Sequence, residues 1–395
     1  MNESTQSESA QTGVQSPLRI AIIAGEVSGD VLGASLIKAL KRRHPDCQFT
    51  GVSGPKMQAE GCGSLASIEE LSLFGLSEVV KEIPRLLRLR KRLVGQIRDW
   101  EADLCIGIDA PSFNLGLEKR LKAGGMKTAH YVSPTVWAWR EGRIHGIAES
   151  VDLMLTLFPF EQAIYSQHNV ASRFVGHPLA DQFPISPDRL AARSELGLDI
   201  HKQWLAMLPG SRGSEVNLLS QPFVETAQWL AKRMPDLGFV VPLANAKTRA
   251  RFEQELTQHS DLPTITLLDG QSEQAMTAAD VVLLASGTAA LEACLLKRPM
   301  VVAYRVSAFS YFIFRKVGML KIEYVSMPNH LTSTPLVPEY IQHQCTAENM
   351  GPALYQLLTR PHLRARQIDA FHAVHESLRL DASEQAAEAL LQLLR

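Results

Sequence analysis

Ser286-Gly287-Thr288-Ala289-Ala290-Leu291-Glu292 joins a small-residue loop to a carboxylate one helical turn later. It follows the apolar run Val281–Leu284 and opens a helical pattern ending near Leu296. Such a loop presents unpaired N–H groups at the positive end of a helix dipole, a fit for phosphate. Glu292, four residues after Thr288, lies on the same helix face and can accept from two vicinal hydroxyls, as on a ribose. The competing reading is a plain Ser/Thr helix cap. Pro209-Gly210-Ser211-Arg212 is a second phosphate-ready loop. Gly210 permits close approach, Ser211 and the helix start offer donors, and Arg212 offers a cation that can neutralise a diphosphate leaving group.

Asp109 ends another apolar run, Ile106-Gly107-Ile108, and is followed by Ala110-Pro111-Ser112-Phe113-Asn114. A partly desolvated carboxylate at a strand end can act as general base toward a hydroxyl; the alternative is an Asp capping the next turn. Asn114 is a second polar candidate. Gly25-Glu26-Val27-Ser28-Gly29-Asp30 lacks the G-x-G-x-x-G spacing of a dinucleotide site. Glu26 and Asp30 there can bind hydroxyls, or Ser28 can cap an ordinary turn. Ser133-Pro134-Thr135-Val136-Trp137-Ala138-Trp139-Arg140 can build an aromatic wall with an anion handle, or pack into a core. No Asp-x-Asp triplet of the kind that holds a nucleotide diphosphate through a metal is present.

The elements that must position these groups alternate between strand-like and helix-like, which predicts an α/β protein with parallel sheets and covering helices. In the first half, strands are predicted from Leu18 and at Phe49–Val52, Leu104–Ile108, Thr128–Val132, Leu153–Thr156 and Arg173–Val175. The second half restarts at Trp204–Leu208, with a helix from about Leu218 to Met234 and strands at Gly238–Pro242, Thr264–Leu267, Val281–Leu284 and Met300–Tyr304. At 395 residues the chain exceeds the usual limit of about 250–300 for one core, so two Rossmann-like halves are expected, with a single large doubly wound domain as the alternative. Residues 1–17 read as a disordered polar tail without the features of a signal peptide, 18–180 as the first half and 181–395 as the second. The hinge is placed among the prolines between Gly176 and Pro187. Ligands in open α/β sheets bind at the strands' carboxyl ends, so the two sets of loops are expected to face one cleft.

Net charge is −1, which argues against a nucleic-acid binder. Five scattered cysteines form no C-x-x-C pair and suggest neither a disulfide framework nor a zinc site. No run is long and apolar enough to span a membrane. Leu71-Ser72-Leu73-Phe74-Gly75-Leu76, the Leu/Arg stretch Ile83–Val94, and Phe309–Leu320 are amphiphilic. They can lie on an anionic bilayer surface, or form ordinary helices with snorkelling arginines.

Together, Ala24–Asp30, Gly107–Pro111, Tyr131–Arg140, Val175–Pro178, Leu208–Arg212, Ala285–Glu292 and Met327-Pro328-Asn329 closely resemble the lipid-A-disaccharide synthase family, inverting glycosyltransferases of the GT-B architecture. The resemblance runs from about Leu18 to the carboxyl end. It implies transfer of 2,3-diacylglucosamine from its UDP derivative to the 6-hydroxyl of 2,3-diacylglucosamine 1-phosphate. The products are UDP and a β-1,6-linked tetraacyl disaccharide 1-phosphate. It also implies no cofactor or metal, a peripheral place on the cytoplasmic face of the inner membrane, and a homodimer with exchanged carboxyl-terminal parts. On that resemblance Ser286, Gly287 and Thr288 hold the donor diphosphate, Arg212 stabilises departing UDP, and Glu292 binds the ribose. Asp109 is the base, while Glu26 and Asn329 line the sugar sites. The last helices, from Ala382 to Leu394, are expected to pack on the first half or on a partner chain. A UDP-sugar 2-epimerase-like enzyme and a nucleotide-sensing scaffold are the rival readings.

Overall fold

The computed structural model describes residues 17–71, 76–136, 142–307 and 323–395. The tail before Pro17, the Ser72–Gly75 part of the first amphiphilic segment, Trp137, Trp139 and Arg140, and the Phe309–Leu320 segment lie outside the described residues.

Among the described residues, thirteen strands form two parallel sheets. β1 (Arg19–Ala24), β2 (Gln48–Ser53), β3 (Cys62–Ser67), β4 (Leu104–Ile108), β5 (Lys127–Tyr131), β6 (Leu153–Thr156) and β7 (Ser172–Phe174) make a seven-stranded sheet in the order β3-β2-β1-β4-β5-β6-β7. β8 (Trp204–Leu208), β9 (Gly238–Leu243), β10 (Ile265–Asp269), β11 (Val281–Ala285), β12 (Met300–Tyr304) and β13 (Glu339–Ile341) make a six-stranded sheet in the order β10-β9-β8-β11-β12-β13. The central strands are buried on both faces, as helices on both sides of a parallel sheet require, and they therefore read as continuous apolar runs. β3 (Cys-Gly-Ser-Leu-Ala-Ser) and the three-residue β13 escape the sequence reading because edge strands need no such run.

Strand order reverses once in each sheet. β1 lies between β2 and β4, with Ala24 paired to Ile108 at their carboxyl ends. β8 lies between β9 and β11, with Leu208 paired to Leu284. At each reversal the two following loops diverge to opposite faces and leave a crevice between them. One crevice therefore receives the Gly25–Asp30 and Asp109–Asn114 loops. The other receives the Pro209–Glu215 and Ser286–Thr288 loops.

The chain passes between the sheets twice, and the crossings lie side by side. His177 N–H donates to the Leu378 carbonyl at 2.8 Å. Gly176 has φ +89°, and a Cβ there would come within 2.7 Å of the same carbonyl oxygen. After the second crossing the helix Ala382–Leu393 lies on the helix Val27–Arg43. Its Ala386, Ala387 and Leu390 join the core of the first sheet, and Glu384 pairs with Arg43 at 3.0 Å and with Arg42. Among the described residues no helix is long and apolar enough to cross a membrane. All five cysteines are free and buried.

Candidate active site

The crevice of the second sheet holds a cavity of about 370 Å³. Gly210, Ser211, Arg212, Ser286, Gly287, Thr288 and Glu292 line it, together with Glu215, Gly270 and Ser272. Its floor is the start of two helices. Thr288–Leu295 begins without a side-chain cap, so the N–H groups of Gly287, Thr288 and Ala289 are left to a ligand. Ser286 contributes less than expected. Its N–H is bonded to the Ala303 carbonyl at 2.9 Å, and its hydroxyl donates to the Val325 carbonyl at 2.5 Å. The uncapped N–H groups at this helix start are therefore those of Gly287, Thr288 and Ala289 rather than that of Ser286. A Cβ on Gly287 would meet nothing of the protein within 4 Å, so the space its missing side chain leaves belongs to the cavity.

Opposite it, the helix Gly213–Ala231 starts five residues earlier than its apolar periodicity suggests, because Glu215 caps it. Glu215 Oε2 accepts from the N–H groups of Ser211 (3.0 Å) and Arg212 (3.2 Å). The loop can close this tightly only at glycine: Gly210 has φ +133°, and a Cβ would lie 2.4 Å from Glu215 Cβ. Arg212 is 81% exposed and reaches only 3.6 Å to Glu215, so its guanidinium can pair with an incoming anion. Glu292 is half-buried on the far wall. Burial, and then the charge of Glu273, raise its pKa above the ordinary carboxylate value.

In the crevice of the first sheet, Asp109 and Ala110 both adopt left-handed backbone, at φ +51° and +43°. Two consecutive non-glycine residues there mark local strain. The surroundings hold it in place: Asp109 N–H bonds the Tyr131 carbonyl at 2.9 Å, and Ala110 fits only because residue 25 is glycine, where a Cβ would come within 2.3 Å of Ala110 Cβ. The Asp109 carboxyl pKa is raised by burial and then by the charge of Glu26, which lies within hydrogen-bond reach; His130 opposes that rise. Ser28 does not cap its helix; its hydroxyl holds Glu26 Oε1 at 2.8 Å. The helix Val27–Arg43 therefore also starts uncapped, with exposed Glu26 at its N-terminus and Val27 67% exposed beside it.

Three residues named from the sequence stand behind these crevices rather than in them. Asp30 is buried and accepts from the N–H groups of Gly54, Lys56 and Met57 at 2.9–3.0 Å, so it caps the next helix instead of meeting a hydroxyl. Asn114 is fully buried, and its Nδ2 donates to the Ile23, Ile108 and Asp109 carbonyls, tying β1 to β4 under the Asp109 loop. Asn329, 4% exposed, donates to Val337 and Glu339 and accepts from Leu336 and Val337. Its amide is spent on the helix Met327–Leu331 and the approach to β13. That helix carries His330, whose ring lies 6.3 Å from Phe160 of the first half. The sequence reading named no role for Glu215 or Ala289. The S/T/D/N-x-x-E spacing that advertises a capping box is disguised at Glu215 by an arginine three residues earlier.

The chain matches the family model described as lipid-A-disaccharide synthetase over residues 20–393. It is 51% identical over 379 residues to the lipid-A-disaccharide synthase of Vibrio cholerae serotype O1, covering 96% of this chain and 99% of that relative. Its fold is similar to that of UDP-GlcNAc 2-epimerase from Neisseria meningitidis bound to UDP-GlcNAc, with TM-score 0.61 and 13% identity over 95% of this chain and 100% of the other. It is equally similar to the glycotransferase of kitacinnamycin, with TM-score 0.62 and 14% identity over 96% and 100%. These two likenesses establish the paired α/β halves of the GT-B architecture. They do not favour the epimerase reading, because identity that low carries fold alone. The chain belongs to the lipid-A-disaccharide synthase family, the glycosyltransferases of lipid A biosynthesis.

Proposed function

We propose that this chain transfers 2,3-diacylglucosamine from UDP-2,3-diacylglucosamine to the 6-hydroxyl of 2,3-diacylglucosamine 1-phosphate, with inversion. The observation that carries the reading is the division of labour between the two crevices. One holds a carboxylate with a raised pKa, and the other an uncapped helix start, a largely exposed arginine and a half-buried carboxylate. The N–H groups of Gly287, Thr288 and Ala289 take the diphosphate, and Glu292 takes the ribose hydroxyls. Asp109 accepts the proton of the 6-hydroxyl as that oxygen bonds the anomeric carbon. The bond from that carbon to the diphosphate breaks on the opposite face, and Arg212 offsets the charge that leaves with UDP. Glu26, held by Ser28, orients a sugar hydroxyl. Asn114 and Asn329 keep the two walls in shape.

The acyl chains and the acceptor imply a peripheral site on the inner membrane's cytoplasmic face. The helix Leu76–Asp99 supports this: Leu89, Leu93 and Ile97 face the core, while Ile83 and Leu87, one turn apart, are 45% and 46% exposed. Not all its arginines are available to headgroups. Arg90 donates to the Ser112 carbonyl and stacks on Phe113 at 5.0 Å, and Arg92 pairs with Glu70 at 3.2 Å. In an exchanged dimer the helix Ala382–Leu393 would make its contact with Val27–Arg43 between chains. The deciding experiment supplies radiolabelled UDP-diacylglucosamine with and without lipid acceptor. Disaccharide formed only with acceptor supports the synthase, epimerised donor without acceptor supports an epimerase, and binding without turnover supports a nucleotide sensor. Ile83→Ser/Leu87→Ser should weaken vesicle co-sedimentation several-fold; unchanged co-sedimentation sinks the membrane-surface reading.

A further inference from the structure

The foot of the second sheet, at the amino ends of its strands, gathers three arginines around one carboxylate. Asp280 stands just before β11. Its Oδ1 accepts from Arg189 Nη1 at 2.6 Å, and its Oδ2 from Arg193 Nη2 at 2.7 Å and the Trp204 N–H at 2.8 Å. Arg193 is fully engaged: its Nε and Nη1 donate to the Ala278 and Ile200 carbonyls at 2.8 and 3.1 Å. Arg298 stands just before β12. β12 pairs with β11 through Met300 and Val282, and the Val282 N–H bonds the Pro299 carbonyl at 2.9 Å. Asp280 and Arg298 each precede that pair by two residues, so they are neighbours across the two strand starts, and strand alternation gives them the face of Val282 and Met300. That face packs on the helix Arg189–Glu195, whose Ala192 shares a core cluster with Val282 and Met300.

Arg298 is 9% exposed, its Nε has no hydrogen-bond partner, and no carboxylate pairs with its guanidinium among the described residues. Burial, and then the charge of Arg189, pull its pKa down to about 10, which Asp280 offsets only in part; it stays charged at neutral pH. A buried charge without a partner is strongly destabilising, so stability alone is a poor reason for an arginine here. We propose that Arg298, with Arg189 beside it, forms a binding site for a phosphate group, carried by an anionic phospholipid or present as free phosphate. The planar guanidinium fork suits two phosphate oxygens. Arg189 is half-exposed and uses only Nη1 among the described residues, so it offers a second cation. Leu190, next to Arg189, and Ile200, whose carbonyl holds Arg193, are both exposed and would meet the apolar part of a lipid. The site lies at the end of β8 and β11 opposite the donor crevice, about 20 Å away along the strands, and does not rest on the reaction proposed above.

The test uses the full chain with saturating UDP present, so that phosphate cannot report on the donor crevice. Tm is followed against inorganic phosphate, with chloride at equal ionic strength as the control. A site of about 1 mM affinity at about 20 mM phosphate should raise Tm by a few degrees. Arg298→Met should abolish that rise while leaving UDP affinity unchanged. Arg298→Lys, which keeps the charge but loses the fork, should lose most of it, and carries the test if the Met variant does not fold. Co-sedimentation with phosphatidylglycerol and phosphatidylcholine vesicles separates the sources. A several-fold loss on phosphatidylglycerol alone for Arg298→Met, shared by Leu190→Ser/Ile200→Ser, supports a lipid headgroup. Unchanged sedimentation with a lost phosphate response supports free phosphate. The proposal is overturned if chloride matches phosphate, if a folded Arg298 variant responds as the wild type does, or if neither variant folds, which would make the guanidinium structural.

Discussion

Gly210→Ala is the sharpest test of how the donor crevice is built. The new Cβ would lie 2.4 Å from Glu215 Cβ and 2.7 Å from Glu215 Oε2, inside any real contact, and the backbone there sits at φ +133°. Two costs follow. Holding a non-glycine residue in that conformation costs about 1–3 kcal/mol. Displacing Glu215 breaks its hydrogen bonds to the Ser211 and Arg212 N–H groups, worth about 1.5 kcal/mol each at the low end for charged acceptors. The loop therefore faces a penalty of about 4–6 kcal/mol, most simply relieved by abandoning its closed form. Arg212 then leaves the cavity wall. UDP affinity, measured by titration calorimetry, should fall tenfold to a hundredfold, or about 1.4–2.8 kcal/mol. A control isolates the steric part. Adding Glu215→Ala keeps the colliding Cβ and should not rescue binding, whereas Glu215→Gly removes it and should restore part of the affinity. Unchanged UDP affinity in Gly210→Ala would refute this account of the loop.

Gly287→Ala is the complementary case: with no protein atom within 4 Å of the new methyl, urea stability should stay within about 0.5 kcal/mol while UDP affinity drops. Loss of stability with intact binding would mean that the space is not the ligand's. Glu292→Gln should weaken UDP binding about tenfold, the loss of one charge-assisted hydrogen bond. Because the Glu292 pKa is raised, wild-type UDP affinity should fall with decreasing pH above the usual carboxylate range, and the Gln variant should lack that dependence; matching pH curves would contradict the ribose role. Glu161, 3% exposed and bonded to the Phe158 N–H at 3.1 Å, has its pKa raised by burial from 4.5 to about 7. A raised folded-state pKa stabilises the protonated form, so this contribution is full below pH 4.5 and is lost as pH rises through about 7. That difference corresponds to about 3 kcal/mol, and Glu161→Gln should flatten the decline in Tm between these pH values; an unaltered slope would place the titration elsewhere.

Apolar runs buried on both faces mark the central strands, and small-residue loops followed by helical patterns mark the ligand-facing turns. Both signals are local, so β1, β4, β8 and β11 and the loops at Glu26, Asp109, Arg212 and Ser286 were legible from residue order. The helix start at Gly213 was not, because its cap comes from Glu215, inside the helix it starts. Asp30, Asn114 and Asn329 show the same limit more sharply. A polar residue near a glycine-rich turn looks alike whether it meets a ligand or a backbone N–H 24 residues away, as Asp30 does at Gly54.

Residue types alone determined that this protein has parallel α/β halves and a small-residue loop opening a helix ahead of Glu292, because apolar runs, small residues and carboxylates act over one turn of chain. Tertiary structure decided which loops share a crevice, since strand order reverses between β1 and β4 and between β8 and β11. It also decided which polar groups are already spent and which remain for a substrate. That depends on hydrogen bonds between segments far apart in sequence, and no spacing rule records them.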